Sequence, residues 1–503
     1  MRTRGLIDEH DVPSPDEPDP GARGSSEGPG ASESGGTENL RRKTLQGGAF
    51  LAVREVAGMV IRVLGIVIVT RQIGPHDYGV YAGAAAFAAV VASITQMGME
   101  VYLIRQVEAP TRQTYDDVFT FLVVLSVAAV GLSFALSAVV DLLHPSSAGT
   151  VQVFRVMLLS VPLNVLWAPA QARIERSFDF RSMAWLELGG DAVLYAVAVP
   201  LAYAGAGPYS LVMGFIAWQG YLLIGSYAMA RMRPRLRRPS ARWGDFLGHG
   251  IDYSASTWIY AMSGLVNPVI VGRYFGATGV GYVALAVRLV DTLGFGQRAT
   301  WRLGLVAFSR AHADGERIRR GIEEGMVLQV LAVGVPIAAV AVCGTWLIPL
   351  IFGAQWLPAV SVFAMLGVAR IVNAPLTVQM AFVFSKGRNR VVAVAGLANL
   401  VMLVGAALIL VPAIGIEGYG VAAIVSSLAW LIMSWWAHRM QEFDWYRPLP
   451  WLCAFVPPVL SPLLPWPQRT LLLAPLALVL VVPGMRRQLM EYAEMVIRRL
   501  RRA

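Results

Sequence analysis

With 503 residues, 56% hydrophobic and only 15% charged, a formal net charge of +10 and a mean hydropathy of +0.56, the chain lies far outside the balance of soluble domains. That composition belongs to a polytopic membrane protein. It excludes a disulfide-stapled secreted domain, because the two cysteines, Cys343 and Cys453, both sit in apolar segments.

Residues 1–43 open the chain as an expected disordered cytoplasmic tail. Through residue 39 they hold three arginines against nine acids, are rich in Pro, Gly and Ser, and lack the basic-then-apolar pattern of a cleavable signal peptide. About fourteen apolar segments follow, most of them roughly 18 to 25 residues long and able to cross about 30 Å of hydrocarbon as helices. Segments 1 to 6 span 48–70, 79–103, 118–143, 151–172, 183–204 and 208–230. Segments 7 to 12 span 250–273, 279–303, 326–352, 357–384, 391–413 and 418–437. Segments 13 and 14, at 450–466 and 470–485, are short and rich in proline. The domains expected are an N-terminal lobe at 44–230, a basic cytoplasmic linker at 231–247, a C-terminal lobe at 248–440, two added helices at 441–485, and a basic amphipathic helix at 486–503. In that last stretch Leu489, Ala493, Val496 and Leu500 share one face among arginines, a pattern suited to the membrane surface or to a solvated basic tail.

Between segments 1 and 2, Arg71 to Tyr78 carries Gly74-Pro75-His76-Asp77, turn chemistry leading into a helix N-terminus, and predicts a hairpin. Basic residues orient it. If the N-terminus is inside, the inner segments hold Arg41, Arg42 and Lys43, six arginines in RMRPRLRRPSAR (231–242), four between Arg310 and Arg320, and KGRNR (386–390). The outer loops then hold only Arg71, Arg273 and Arg469. This asymmetry places both termini in the cytoplasm. It assigns the positive charge to the inner leaflet, so nucleic acid is not needed as a partner.

The chain repeats itself. Arg71-x-x-Gly74-x-x-x-x-Gly79-x-x-Ala82 has a counterpart in Arg273-x-x-Gly276-x-x-x-x-Gly281-x-x-Ala284. Segment 1 thereby maps onto segment 7, as in a duplication of two six-helix bundles. The same residues carry a family resemblance. TRQIGPHDYGVYA, MEVYLIR, residues 172–214, 283–310, LIPLIFGAQWLPAV (347–360) and AIGIEGYGVAA (413–423) together resemble the polysaccharide exporter and oligosaccharide flippase family of the MATE-like superfamily, over nearly all of 44–440. That resemblance implies an all-α MATE-like fold with two pseudo-symmetric six-helix lobes around a central cavity. It further implies alternating access on a lipid-linked saccharide.

Ionisable residues inside membrane segments are functional candidates by default, since each costs several kcal/mol unless it faces protein or water. In segment 8, Arg288, Asp291, Arg298 and Arg302 fall on one face. Segment 1 carries Arg54, Glu55 and Arg62, segment 5 Glu187 and Asp191, segment 7 Asp252 and Asn267, and segment 10 Arg370 and Asn373. Arginine outnumbers acid in these interiors, which favours an anionic passenger, and a planar guanidinium suits a diphosphate. The substrate-binding residues expected are Arg62, Arg288, Arg298, Arg302, Arg370, Asn267 and Asn373. The coupling residues expected, for H⁺ or Na⁺, are Glu55, Asp252, Asp291, Glu187 and Asp191. Other readings stand beside these. Arg298 and Arg302 are also placed to snorkel to the interface, Glu55 with Arg62 and Arg288 with Asp291 to pair internally, and Arg155 to anchor at the interface or serve an outer gate.

The function expected is translocation of a polyprenyl-diphosphate-linked oligosaccharide across the cytoplasmic membrane. The protein is read as a non-enzyme and a monomer without cofactor or metal, partnered by lipids and by the glycosyltransferases and polymerase of its pathway. A MATE-type cation-coupled drug exporter is the alternative. A membrane glycosyltransferase or polymerase is a more distant one, because the outer loops are short and His10, His76, His144, His249, His312 and His438 are scattered.

Overall fold

The computed structural model describes residues 33–106, 108–143, 148–177, 179–238, 243–294, 297, 308, 315–481, 483, 485–487, 490 and 494, some of them, including 33–57 and 251–253, by backbone alone. Among the described residues the protein is helical throughout and has no strand.

Helix α1 runs Glu33–Gln96. Its 64 residues would extend about 96 Å if straight, three times the hydrocarbon thickness. Gly74 breaks it with φ 77° and ψ 178°, a conformation open to glycine but not to residues bearing a Cβ, and Pro75 follows. The chain then continues through α2 (Met99–Arg105), α3 (Arg112–Leu143), α4 (Ala148–Met157), α5 (Ser160–Leu166), α6 (Ala168–Arg176), α7 (Phe180–Tyr203) and α8 (Tyr209–Met229). Segment 4 is thus three short helices, with Pro162 and Pro169 at the joints. Asp179 caps α7 by accepting from the Ser182 amide at 3.1 Å, and its hydrogen bonds to Ser182 hold its carboxyl below the usual range.

The second half repeats the device. Helix α9 (Trp243–Ser263) leads through a π-helical turn at Asn267–Val271 into α10 (Gly272–Leu293), which Gly276 breaks with φ 61° and ψ −166°. Asn267 Nδ2 reaches the Val280 carbonyl at 3.2 Å, although a straight helix would part residues thirteen apart by about 20 Å. The chain therefore doubles back at Gly276, where the repeated motif predicts it. Then come α11 (Gly315–Phe352), α12 (Ala359–Ser385), α13 (Asn389–Ile414), α14 (Glu417–Ser426) and α15 (Trp430–Met440). Among the described residues ten helical runs are long and apolar enough to cross a membrane. Two of these runs are broken at a glycine, Gly74 and Gly276, so the described helices correspond in order to segments 1 to 12.

Segments 13 and 14 become α16 (Leu449–Leu460) and α17 (Arg469–Val481), of 12 and 13 residues. Trp451, Phe455 and Val459 join the C-terminal core with Val330, Ile337, Phe363 and Ile371. A separate N-terminal core gathers Met99, Leu103, Phe121, Leu122 and Val165. A third, at the hairpin end, unites both halves through Val69, Tyr78, Tyr195, Leu285, Phe352 and Trp356.

Helix α1 begins at Glu33, within the stretch expected as the tail, and the run Leu40-Arg41-Arg42-Lys43 is made of good helix formers. Residues 1–32 and 495–503 lie outside the described residues. The basic linker is tied down: the Arg235 amide donates to Asp116 Oδ1 at 3.2 Å and the Arg237 amide to Thr120 Oγ1 at 2.9 Å, both acceptors on the first turns of α3.

A second tether joins α11 to the approach of α16. Glu323, 3% exposed, accepts from Arg319 at 3.1 Å, Arg447 at 2.6 Å and the Asp444 amide at 3.1 Å. Glu323→Ala removes the acceptor of the Asp444 amide and of Arg447, while Arg319 keeps Glu316; because both cations are more than a third exposed, the expected cost is that of an unsatisfied hydrogen-bonding group, about 1 to 3 kcal/mol. We expect faster protease cleavage between residues 441 and 448; cleavage at the parental rate would show that the tether is not needed.

Candidate functional site

Helices α1, α7, α10 and α12 bring the expected charges together between the two cores. On α1, Gly65 lets the Tyr195 ring of α7 lie directly on the helix; a Cβ there would fall 2.2 Å from the ring. This close approach sets Arg62, three residues before Gly65, against Asp191, four residues before Tyr195. Arg62 donates to Asp191 Oδ2 at 2.6 Å, and the side chains retain 32% and 13% exposure. One partner of Arg62 is therefore on α7. Glu187, one turn before Asp191, is exposed.

From the other half, α10 contributes Arg288 and Asp291. Asp291 pairs with Arg370 of α12 at 3.3 Å rather than with Arg288. Arg370 lies across Gly294, where a Cβ would come within 3.1 Å of its guanidinium, and Arg370 Nε has no partner among the described residues. Arg288 hydrogen-bonds Tyr195 across the boundary between the halves, with Tyr78 and Tyr81 nearby. It makes no carboxylate ion pair among the described residues, and it stays open to solvent while protein surrounds it on most sides.

Other expected residues fall elsewhere. Asn267 is 8% exposed and its amide closes the second hairpin. Asn373 Nδ2 donates to Ser427 Oγ at 2.8 Å and so joins α12 to the turn after α14. The side chains of Glu55 and Asp252, and residues Arg298 and Arg302 altogether, lie outside the described residues. Arg155 stays within the N-terminal half, with Nε on Ser137 Oγ at 2.9 Å and its guanidinium 5.1 Å over the Phe134 ring.

At the hairpin end the space above this cluster is shut. Gly79 and Gly281, the paired glycines of the repeat, meet each other. A Cβ on Gly79 would lie 1.7 Å from the Ala277 carbonyl oxygen, and one on Gly281 would lie 2.0 Å from that of Pro75. Trp356, fully buried, donates Nε1 to the Thr70 carbonyl at 3.3 Å and meets Tyr78 and Tyr282 edge-on at 5.6 and 6.1 Å. Arg71 Nη1 reaches the Leu350 carbonyl, and Gln355 Nε2 the Arg71 carbonyl, both at 3.4 Å. Neither Tyr195 nor Trp356 is a charged residue of the kind that a scan of membrane positions marks. Tyr195 was within reach, one helical turn beyond Asp191 on the same face; Trp356 carried no charge to mark it.

Chemically, the cluster offers three guanidinium groups from both halves. Two are partly occupied by carboxylates, and one has a neutral phenol as its hydrogen-bond partner. Such a set receives a multivalent anion through charge-assisted, paired hydrogen bonds.

Comparison with known proteins agrees with this architecture. A family model described as "Polysaccharide biosynthesis protein" matches residues 68–361, more than half of the chain. Two curated relatives are the lipopolysaccharide biosynthesis protein WzxC of Escherichia coli (strain K12) and the succinoglycan biosynthesis transport protein ExoT of Rhizobium meliloti (strain 1021). WzxC is 20% identical over 67% of this chain and 70% of the relative. ExoT is 23% identical over 66% of this chain and 67% of the relative. Among solved structures, the lipid II flippase MurJ in an inward closed conformation superposes with a TM-score of 0.67 at 12% identity, covering 87% of this chain and all of that one. An inward-facing multidrug resistance MATE family transporter of the MOP superfamily gives 0.62 at 16% identity over 78% and 98%. The fold is that of this superfamily.

Proposed function

The chain belongs to the polysaccharide biosynthesis protein family, and from that premise we propose that this multi-pass membrane protein carries a polyprenyl-diphosphate-linked oligosaccharide across the cytoplasmic membrane by alternating access. The observation that carries the reading is Arg288, a solvent-open cation without a carboxylate partner among the described residues, standing at the boundary of two halves beside Arg62 and Arg370. The lobes are 44–230 and 248–440, both termini are cytoplasmic, and a monomer suffices. In this orientation the Gly79–Gly281 contact and Trp356 form the outer seal, so the arginines face inward. The names of WzxC and ExoT support a saccharide passenger.

Asp191 and Asp291 hold Arg62 and Arg370 while the site is empty, and the incoming diphosphate displaces them. Their release offers a point at which H⁺ or Na⁺ enters the cycle. Asp191→Asn is accordingly expected to tighten lipid binding severalfold while slowing turnover, as measured by the two quantities separately in proteoliposomes. Weaker binding in that variant would count against the displacement.

The decisive experiment places purified protein in liposomes with a fluorescent polyprenyl-diphosphate oligosaccharide in both leaflets and follows exchange between them. Protein-dependent exchange supports the reading. Extrusion of an organic cation without lipid exchange would move the chain to the drug-exporter alternative.

A further inference from the structure

At the end of the molecule opposite the hairpins, the C-terminal half holds an open cavity of about 410 Å³ that no step of transport uses. Its floor is apolar, made by Ile318, Phe382 and Met440, and its rim carries Lys386, Arg388 and Gln441. Among the described residues no carboxylate lines it. Of the described acids on the adjoining elements, Glu316 is held by Arg319 and Arg320 at 2.9 and 2.8 Å and Glu323 by Arg447 at 2.6 Å, while Glu324, Glu442 and Asp444 lie outside the lining.

The rim is fixed rather than floppy. Helix α12 ends in a turn with Gly387 at φ 72°, and the amides of Lys386, Gly387 and Arg388 return to the carbonyls of Phe382, Phe384 and Val383 at 3.2, 2.9 and 3.3 Å. Lys386 Nζ stands 5.8 Å over the Phe382 ring. Arg388 is also the residue from which α13 starts, so the positive end of that helix adds to the two cations.

The neighbouring surface tells the depth of the cavity. Trp435, Trp445 and Tyr446, flanking Met440 and Gln441 in sequence, are 56%, 59% and 56% exposed. Exposed tryptophan and tyrosine in a membrane protein mark the level of the lipid headgroups. An apolar floor, two cations and an amide at that depth match a phosphate with acyl chains attached better than a free ion.

We propose that this cavity binds the phosphate headgroup of an anionic phospholipid, separately from the arginines between the halves. The inference uses the proposed orientation only to name the leaflet as the inner one, and it stands whether or not the chain moves a saccharide. Full-length protein in a neutral detergent is titrated with short-chain phosphatidylglycerol, phosphatidylcholine or inorganic phosphate, and the thermal unfolding midpoint is followed, since a ligand that binds the folded state raises it. Phosphatidylglycerol is expected to raise the midpoint with saturation, phosphatidylcholine is not, and Lys386→Gln with Arg388→Gln is expected to weaken the response about tenfold or more, two charge-assisted hydrogen bonds being lost. Lys386→Arg keeps it. Arg233→Gln with Arg238→Gln, which removes equal charge from the linker, also keeps it. Gly315→Leu fills the cavity without touching its charge and abolishes the response, which protects the test from a folding defect in the charge variant. An equal response to phosphatidylcholine, or an undiminished one in the charge variant, overturns the proposal. Inorganic phosphate reproducing the full shift overturns the lipid as its source.

Discussion

Gly79→Ala is expected to abolish transport while leaving each half folded. The new methyl carbon would lie 1.7 Å from the Ala277 carbonyl oxygen, about half a normal contact distance, and the obstacle is backbone that no rotamer change can clear. Since Gly79 faces the other half of the molecule, the strain is relieved by parting the two halves at the hairpins rather than by unfolding either. Overpacking of this kind costs about 1 to 3 kcal/mol or more, which shifts closure by about fivefold to more than a hundredfold. The readout is a cysteine placed at Thr70, wholly buried in the closed form, in a chain with Cys343 and Cys453 replaced. Impermeant maleimide should label it much faster in Gly79→Ala than in the parent. Gly131→Ala, where a methyl group meets nothing, is the matched control. Normal labelling together with normal transport in Gly79→Ala would show that the glycine contact is not the seal.

Removing Arg288 has the second large effect. Arg288→Ala deletes the cation that has no carboxylate partner among the described residues, and a charge-assisted bond to a phosphate is worth about 1.5 to 3 kcal/mol, hence a loss of about tenfold to a hundredfold in lipid exchange. Arg288→Lys restores charge but not the two-pronged donor and should recover part of it. Tyr195→Phe removes only the phenol that orients the guanidinium and should cost less. The same proteins are assayed for monodispersity and for affinity toward the diphosphate lipid. A purely structural role would lower stability without changing affinity, whereas exchange at the parental rate in a well-folded Arg288→Ala would remove this arginine from the passenger's site.

Much of the fold was legible in the chain because membrane insertion imposes a simple rule: apolar runs of sufficient length must become helices. Segments 1 to 12 follow from it. Both glycine breaks follow from the repeat, since Gly74 and Gly276 occupy backbone conformations that a Cβ disfavours. The rule gave less at 151–172, where Pro162 and Pro169 divide one expected helix into three, and at the tail, where a polar helix continues past the point at which hydropathy stops informing.

The site divides in a similar way. Sequence by itself determined which helices carry charge and which residues share a face, because 3.6 residues per turn is local geometry. Hence Arg62, Asp191, Arg288, Asp291 and Arg370 were identified as candidates. Pairing was not determined locally. Arg288 and Asp291, three apart on one helix, were placed to pair, yet Asp291 binds Arg370 and Arg288 reaches Tyr195 in the other half. Asn267 and Asn373 sat on polar faces, yet their amides tie backbone and helix together rather than lining the space beside Arg288. Only the tertiary structure decided these matters, because an ion pair between residues 129 positions apart, such as Arg62 with Asp191, depends on how closely two helices approach. That approach is set by Gly65 beneath the Tyr195 ring and by Gly79 against Gly281: the sequence shows the glycines, and the packing alone shows what lies against them.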